Sequence, residues 1–167
     1  MIKSIAKVFR LRHVGKGRFI AVHIRPYPDA CLDLWRSSLA NFDYVAASKA
    51  CQNPNLVHIV VNQTLDAIKR YNVSSNVFVM CHPAVRNLIL ELYGAAGMKP
   101  FFFNEDILGP IFGFSGPALL GMVEQEICNQ ADVFIGTGAS TMTGIVYEER
   151  STSNPPKLAT ENFLGDH

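Results

Sequence analysis

The chain has 167 residues, of which 49% are hydrophobic and 17% are charged, and its formal net charge is +1. This length and apolar content predict a single globular domain with a substantial hydrophobic core. The near-neutral charge argues against a nucleic-acid partner, and no apolar run is long enough to cross a bilayer, so a membrane segment is not expected.

A helix and a buried strand are predicted at the start of the chain. Apolar side chains at helical spacing indicate an amphipathic helix over residues 2–13, which a pair of glycines ends. Residues 18–25 (RFIAVHIR) are rich in β-branched and aromatic side chains and predict a buried strand that stops at Pro26. Residues 26–54 mix polar and small side chains, which predicts an irregular excursion with short helical pieces.

The N-terminal stretch is also basic, because no acidic residue precedes Asp29 while lysines and arginines recur. An acid-poor amphipathic start is compatible with an organelle transit peptide, but the strand that follows directly favours a structural helix with a solvated basic face. A basic wall beside an anionic ligand is the alternative, and Arg25 is the residue that would take part in it.

The middle of the chain continues with alternating helices and strands. Residues 56–61 are apolar and fit either element, whereas residues 63–71 show one clear helical face. Residues 76–81 (NVFVMC) predict the second strand. Residues 84–96 predict a helix that ends at Gly97.

The last third repeats this alternation. Residues 100–103 predict a short third strand, and residues 117–130 predict a helix with proline at its first position. Residues 133–135 predict a fourth strand, residues 142–150 a final helix, and a proline-containing tail follows from Ser151. Strands that alternate with helices predict the α/β class, with a doubly wound, Rossmann-like parallel sheet flanked by helices.

A glycine turn joins the fourth strand to the last helix and resembles an anion site. Residues 136–138 (GTG) break the strand, and the hydroxyl residues Ser140, Thr141 and Thr143 fall where the helix begins. Free backbone N–H groups and the positive end of the helix dipole favour an anion there, and small residues let a phosphate approach closely. The same pattern also fits an ordinary strand-to-helix turn capped by Ser140.

His23 and Arg25 end the first predicted strand. Residues two apart on a strand point to the same face, so both side chains can reach one ligand. The guanidinium fork matches phosphate geometry. Ligands of such sheets bind outside the carboxyl ends of the strands, which predicts that these two residues share one rim with the loop after Cys81 and with residues 136–143. The alternative is a satisfied core histidine and a surface arginine.

Two glutamates, Glu124 and Glu126, lie on the helix before the fourth strand. A carboxylate on such a helix can accept the N1–H and the exocyclic amine of guanine. Most helix glutamates are simply solvated, and the residues alone do not choose between these two.

A metal centre is not predicted, because the histidines are scattered, no Asp-x-Asp pair occurs and the cysteines lack paired CxxC spacing. The G-x-S-x-G elbow of many hydrolases is also absent. Cys81 and Cys128 lie in apolar segments and are predicted to be buried thiols, whereas Cys31 and Cys51 could form a disulfide in an oxidising compartment.

The chain resembles the C-terminal half of the GDP-fucose protein O-fucosyltransferases. The resemblance is carried by RFIAVHIR, by the region around Cys31 and by VEQEICNQADVFIGTGASTMTGIVYEER, and it extends with gaps over most of the chain, including residues 162–165. The family pairs two Rossmann-like domains of GT-B type and binds the nucleotide sugar mainly on the C-terminal one. The resemblance therefore implies that residues 1–167 form this donor-binding domain, and that the N-terminal partner domain has no counterpart here.

The resemblance also assigns site residues. The family's donor-binding positions correspond to His23, Ile24, Arg25, Glu124, Ser140, Thr141 and Met142. Its His-x-Arg arginine is the main contact of the diphosphate leaving group, which makes Arg25 the catalytic candidate. Its guanine-binding aspartate is Glu124 here, which changes the reach of the acid, and its phenylalanine is Met142, which keeps only apolar contact with the base.

The implied activity is inverting transfer of fucose from GDP-fucose to a Ser/Thr hydroxyl, without a metal or other cofactor, and the implied partner is a protein or glycan acceptor with a free hydroxyl. The implied location is the lumen of the endoplasmic reticulum or Golgi, although no signal peptide is visible in the sequence. A catalytically inactive GDP-sugar-binding or interaction module is the alternative, and a nucleotide-free Rossmann-like scaffold is a third hypothesis.

Overall fold

A parallel β-sheet forms the centre of the computed structural model, which describes residues 1–25, 56–113, 115–137 and 140–162. Within these ranges the strands are β1 (Ile20–Ile24), β2 (Asn76–Cys81), β3 (Lys99–Phe101), β4 (Val133–Gly136) and β5 (Ala159–Asn162). Their order is β3-β2-β1-β4-β5, and each neighbouring pair is parallel. The predicted α/β class with a parallel, Rossmann-like sheet is confirmed.

Helices cover both faces of this sheet. They are α1 (Ile2–Val14), α2 (Leu56–Tyr71), α3 (Arg86–Ala95), α4 (Leu108–Phe112), α5 (Pro117–Gln130) and α6 (Thr141–Ser151). Buried residues of α2 and α3 share one core cluster, and those of α1, α4, α5 and α6 share the other. The fold is thus doubly wound, as the alternation of elements predicts.

Strand β1 is buried over its whole length, and its side chains alternate between the two cores. Ile20, Val22 and Ile24 belong to the cluster under α2 and α3, whereas Ala21 belongs to the cluster under α1 and α5. This alternation turns His23 toward the second face, away from Ile24. The polar residue at the end of the strand is therefore directed by the apolar residues before it.

The structure resolves the ambiguous segment 56–61 as the first part of α2. Val60, Thr64 and Ala67 are fully buried at helical spacing, so one apolar face continues through this segment. The Thr64 hydroxyl donates to the carbonyl of Val60 (2.7 Å) and lies 3.0 Å from the Tyr93 hydroxyl on α3.

The predicted tail contains strand β5, which pairs with β4 from Val133↔Ala159 to Gly136↔Asn162. Arg150, only 3% exposed, holds this edge strand in place. Its guanidinium donates to the carbonyls of Cys128 (3.1 Å), Ala131 (2.6 Å), Asp132 (3.1 Å) and Ala159 (2.6 Å) and to the Thr160 hydroxyl (2.8 Å). One buried side chain therefore joins the end of α5 to the starts of β4 and β5.

Some sequence-based expectations fall on residues outside the described ranges. These are the excursion over residues 26–54, a Cys31–Cys51 disulfide and the segment 163–165. Cys81 and Cys128 are buried free thiols, as predicted. Within the described ranges no single helix is long and apolar enough to cross a bilayer; only the bent pair Glu105–Phe112 and Pro117–Gln130 meets that length and composition together.

Candidate functional site

The strand order reverses next to β1, and the candidate residues lie at this point. From β1 the chain adds β2 and β3 on one side of the sheet, and then β4 and β5 on the other. A crevice opens outside the carboxyl ends of the strands where such a reversal occurs. His23 lies at the end of β1, Arg25 follows β1, and Thr137 follows β4, so the two central strands bring these residues to one rim.

Thr137 fixes the backbone at the end of β1. The register of β1 with β4 runs from Ile20↔Val133 to Val22↔Ile135. Beyond it, the Thr137 hydroxyl donates to the His23 carbonyl (2.6 Å) and accepts from the Arg25 backbone N–H (3.1 Å). The side chain thereby continues the strand pairing after the backbone ladder has ended, and Arg25 leaves the sheet from a fixed position.

His23 is a buried and hydrogen-bonded histidine. It is 4% exposed, and its Nδ1 lies 2.7 Å from the Thr143 hydroxyl, which also accepts from the Thr137 N–H (3.2 Å). We assign the Thr143 hydroxyl as the donor to Nδ1, so the imidazole hydrogen is on Nε2. This arrangement satisfies Nδ1, the Thr143 hydroxyl and the Thr137 N–H together. Burial, reinforced by the charge of Arg25, lowers the pKa of His23 to about 3, so the imidazole is neutral at physiological pH.

Gly136 permits the close approach of α6 to β4. A Cβ at this position would overlap Cγ2 of Thr143 and lie 3.1 Å from Cε1 of Phe134. Only a residue without a side chain therefore allows Thr143 to reach His23. The sequence suggested that glycines here make room for a phosphate; Gly136 makes room for Thr143, and Gly138 lies outside the described residues.

Ser140 is the N-cap residue of α6, but its side chain does not cap the helix. Its hydroxyl instead accepts a long hydrogen bond (3.5 Å) from Nη1 of Arg25, and its carbonyl accepts the first helical bond from Gly144 (2.9 Å). The N–H groups of the first turn have no partner inside a helix. The helix start thus keeps the donors and the dipole that favour an anion, directly beside the guanidinium of Arg25.

The structure separates the two glutamates of α5. Glu126 accepts from Gln130 (3.0 Å) on the outer side of the helix. Glu124 turns toward the sheet and is only 5% exposed. Burial raises the pKa of Glu124 to about 8, and Glu105 raises it further, whereas the positive charge of Arg86 acts in the opposite direction.

Arg86 is a rim residue that the sequence reasoning missed. It begins α3, just after β2, and its Nη2 lies 3.8 Å from Oε1 of Glu124. Ile24 and Cys81 are paired across β1 and β2, so the segments that lead to Arg25 and to Arg86 leave the sheet side by side. The sequence predicted the loop after Cys81 at this rim but did not single out a residue in it. The local signal for Arg86 is a charged residue at the start of the helix that follows this loop.

The remaining predicted residues differ in accessibility. Met142 packs against α5, where its Cε lies 3.2 Å from the position of a Cβ on Gly121, one helical turn before Glu124. Thr141 is exposed. The Ile24 side chain is 1% exposed and lies in the opposite core, so only its backbone faces the rim.

Two further kinds of candidate site among the described residues are surface cavities and clusters of metal-binding side chains. A surface cavity of about 390 Å³, lined by Arg18, Asp132 and Lys157 among others, lies at the amino ends of β1 and β4. In the described ranges, no three His, Cys, Asp or Glu side chains are grouped as a metal would require.

Comparison with known proteins shows which fold this is. No protein-family model and no curated protein sequence matches the chain. Among solved structures it is similar to POFUT1, a GDP-fucose protein O-fucosyltransferase. The structure of POFUT1 in complex with GDP aligns with a TM-score of 0.64 and 16% identity over 97% of this chain and 47% of that chain.

Two further POFUT1 structures give the same result. The complex with GDP-fucose aligns with a TM-score of 0.65 and 17% identity over 97% of this chain, and the apo form with 0.61, 17% and 97%. The chain spans just under half of the POFUT1 chains, 46% and 45% in these two structures. This similarity establishes the fold, and the share covered is consistent with the C-terminal half that the sequence resembles.

Proposed function

We propose that this chain is the donor-binding domain of a GDP-fucose-dependent O-fucosyltransferase. The observation that carries the proposal is the contact of Arg25 with Ser140 at the uncapped start of α6, at the reversal of strand order. The guanidinium of Arg25 lies beside the first turn of α6, whose backbone N–H groups have no partner inside the helix, and both kinds of donor suit a diphosphate. The POFUT1 structures with GDP and GDP-fucose support the choice of nucleotide sugar.

In this proposal the diphosphate lies between Arg25 and the first turn of α6. The acceptor hydroxyl attacks the anomeric carbon of fucose, the bond from that carbon to the phosphate oxygen breaks, and GDP departs with inversion while the hydroxyl proton is released. Negative charge grows on the departing diphosphate, and Arg25 offsets it without needing a metal. The Thr137 hydroxyl contributes by holding the Arg25 backbone at the end of β1.

The guanine base lies toward α5. Glu124 accepts its N1–H and exocyclic amine. Met142 of α6, which packs against α5 one turn before Glu124, gives the base an apolar contact. His23 supports the site indirectly, because its neutral imidazole binds Thr143 and so holds the start of α6 against β1. The acceptor is a protein or glycan with a free hydroxyl in the secretory lumen, and in a protein this is a Ser/Thr hydroxyl. A second domain completes the site.

A GDP-sugar-binding module without transferase activity is the second candidate. One observation favours it: His23, the histidine at the rim, is buried, neutral and bound to Thr143, which leaves it unsuited to activate an acceptor hydroxyl. Under this alternative the chain binds GDP-fucose as described and transfers nothing.

Calorimetry with GDP and GDP-fucose, followed by a fucose-transfer assay on the natural full-length protein, tests both candidates. We expect binding by the wild type, and a loss of transfer of about 10²-fold or more in Arg25→Ala, the scale of removing one preorganised charge-stabilising donor. Arg18→Ala is the control, because Arg18 lies at the amino end of β1, away from the carboxyl rim. Binding without transfer selects the module, absence of GDP binding rejects both, and wild-type turnover of Arg25→Ala rejects the role of Arg25.

A further inference from the structure

Glu124 and Arg86 form a buried pair whose hydrogen-bonding capacity is only partly used. The Nη2–Oε1 distance of 3.8 Å is within ion-pair range but too long for a hydrogen bond. Among the described residues, Oε1 of Glu124 and Nε of Arg86 are both buried without a hydrogen-bond partner. Buried polar atoms of this kind are rare in native proteins, and each calls for a physical reason.

Arg86 is held in place by groups other than the carboxylate. Its Nη2 donates to the Phe103 carbonyl (3.2 Å), and its guanidinium carbon lies 5.2 Å from the centroid of the Phe102 ring. These two contacts keep the guanidinium from moving closer to Glu124. This distance supplies electrostatic attraction without occupying the lone pairs of the carboxylate.

The other charged and titratable groups around Glu124 do not stabilise its ionised form. Glu105, on the turn before α4, is acidic, and Cys81 at the end of β2 and Cys128 on α5 itself are buried thiols whose pKa values are raised by burial. Within the described ranges, Arg86 is thus the cation that acts on this carboxyl group.

We infer that Arg86 is a positioning residue for base recognition: it favours the ionised form of Glu124, which burial opposes, and it leaves the carboxylate oxygens open to the two N–H donors of a guanine base. The inference rests on the proposed function. A neutral carboxylic acid would present an O–H donor to N–H donors, whereas a carboxylate presents acceptors only. Selection of guanine over bases that lack this pair of donors then depends on the charge of Arg86.

Two substitutions of Arg86 test this, with Arg70→Gln on the exposed side of α2 as the control. Arg86→Gln removes the charge, and Arg86→Lys retains it. A ¹³C NMR titration of the Glu124 carboxyl, assigned with Glu124→Gln, should show a midpoint raised by about 1–3 pH units in Arg86→Gln, the effect of losing an opposite charge at this range. The midpoint in Arg86→Lys should stay close to that of the wild type.

Calorimetry with GDP from pH 6.5 to 9 gives the second readout. We expect Arg86→Gln to bind GDP about tenfold or more weakly at pH 7, the affinity lost for one unit of pKa, and the deficit to shrink toward pH 9 as Glu124 ionises. Arg86→Lys should recover most of the affinity. Inosine diphosphate, which lacks the exocyclic amine, should bind the wild type more weakly and lose less on substitution.

The outcomes separate this inference from the proposed function. An unchanged Glu124 midpoint in Arg86→Gln, or an affinity deficit that is equal at every pH, overturns the inference, because a merely structural role would give that result. Absence of GDP binding by the wild type overturns the proposed function and the base-recognition role with it, while the NMR midpoint still measures the coupling of the two side chains. If Arg86→Gln does not fold, Arg86→Met, which fills the buried space with an apolar chain, replaces it in both measurements.

Discussion

The hydroxyl of Thr143 lies 2.7 Å from Nδ1 of His23, although 120 residues separate the two in the sequence. The contact joins the end of β1 to the first turn of α6, the two elements that carry Arg25 and Ser140. The geometry of the candidate anion site therefore depends on a buried neutral pair that itself carries no charge.

Thr143→Val keeps the shape of the side chain and removes its hydroxyl. We expect a loss of unfolding free energy of about 2 kcal/mol or more, because His23 Nδ1 and the Thr137 N–H both lose a buried partner. Urea denaturation measures the loss. Thr141→Val, at the exposed first position of α6, is the control, and equal stability of the two variants would contradict the assignment of the hydrogen-bond network.

Gly136→Ala should destabilise the fold by about 1–3 kcal/mol, since the new Cβ overlaps Cγ2 of Thr143 in a packed region. Thr143→Ser removes that methyl group while it keeps the hydroxyl. The double variant should therefore recover part of the loss, which a double-mutant cycle in urea detects as a coupling between the two sites. Strict additivity of the two single losses would show that the overlap is relieved elsewhere.

Glu124→Gln should change how stability depends on pH. The folded-state pKa of Glu124, about 8, lies above its ordinary value of 4.5, so the contribution of this residue to stability is complete below pH 4.5 and is lost as pH rises through 8. The difference in unfolding free energy between Glu124→Gln and the wild type should therefore move in favour of the variant from pH 5 to pH 9.

His23 acts in the opposite direction in both proteins of this comparison. Its folded-state pKa of about 3 lies below the ordinary 6.5, so its contribution is complete above pH 6.5 and is lost as pH falls toward 3. Because Glu124→Gln retains His23, this effect cancels in the difference.

Glu126→Gln on the outer side of α5 is the matched control for Glu124→Gln. A difference in unfolding free energy between Glu124→Gln and the wild type that does not vary with pH would argue against a buried carboxyl.

Arg150→Lys should cost about 3 kcal/mol or more, since an ammonium cannot reach the carbonyls of three separate segments at once and leaves buried acceptors unpaired. Amide hydrogen exchange should show the largest loss of protection in β5. Arg70→Lys, which affects the exposed ion pair with Glu161, should leave both measurements near wild type. Equal protection of β5 in the Arg150 and Arg70 variants would disprove the anchoring role.

The sequence predicted the central strands and the carboxyl rim because these features depend on local pattern. RFIAVHIR and NVFVMC are apolar along their length, as strands buried on both faces must be. Strand β5 (ATEN) lacks such a pattern, because it is an edge strand fixed by Arg150 and by Glu161, which accepts from Gln63 and Tyr71. Contacts of this kind between distant segments leave no periodic signal in the chain.

The candidate site shows the same division. Arg25 and Ser140 follow a strand and precede a helix, so their neighbourhood could be predicted. Glu124 could also have been chosen over Glu126, since it shares the apolar face of α5 with Val123 and Ile127. For Arg86 the sequence offers only its position at a helix start, because its contact with Glu124 on another helix leaves no signal in its own segment. The roles assigned to these residues in donor binding remain predictions.

Successive side chains of β1 point into different cores, so the number of residues in the strand is critical. Deletion of one residue before His23 would turn the imidazole into the aliphatic cluster beneath α2 and place Ile24 beside Thr143. Arg25 would then arrive on the wrong side of the sheet. Natural length variation in related chains should therefore fall outside residues 20–25, even where the amino acids themselves change.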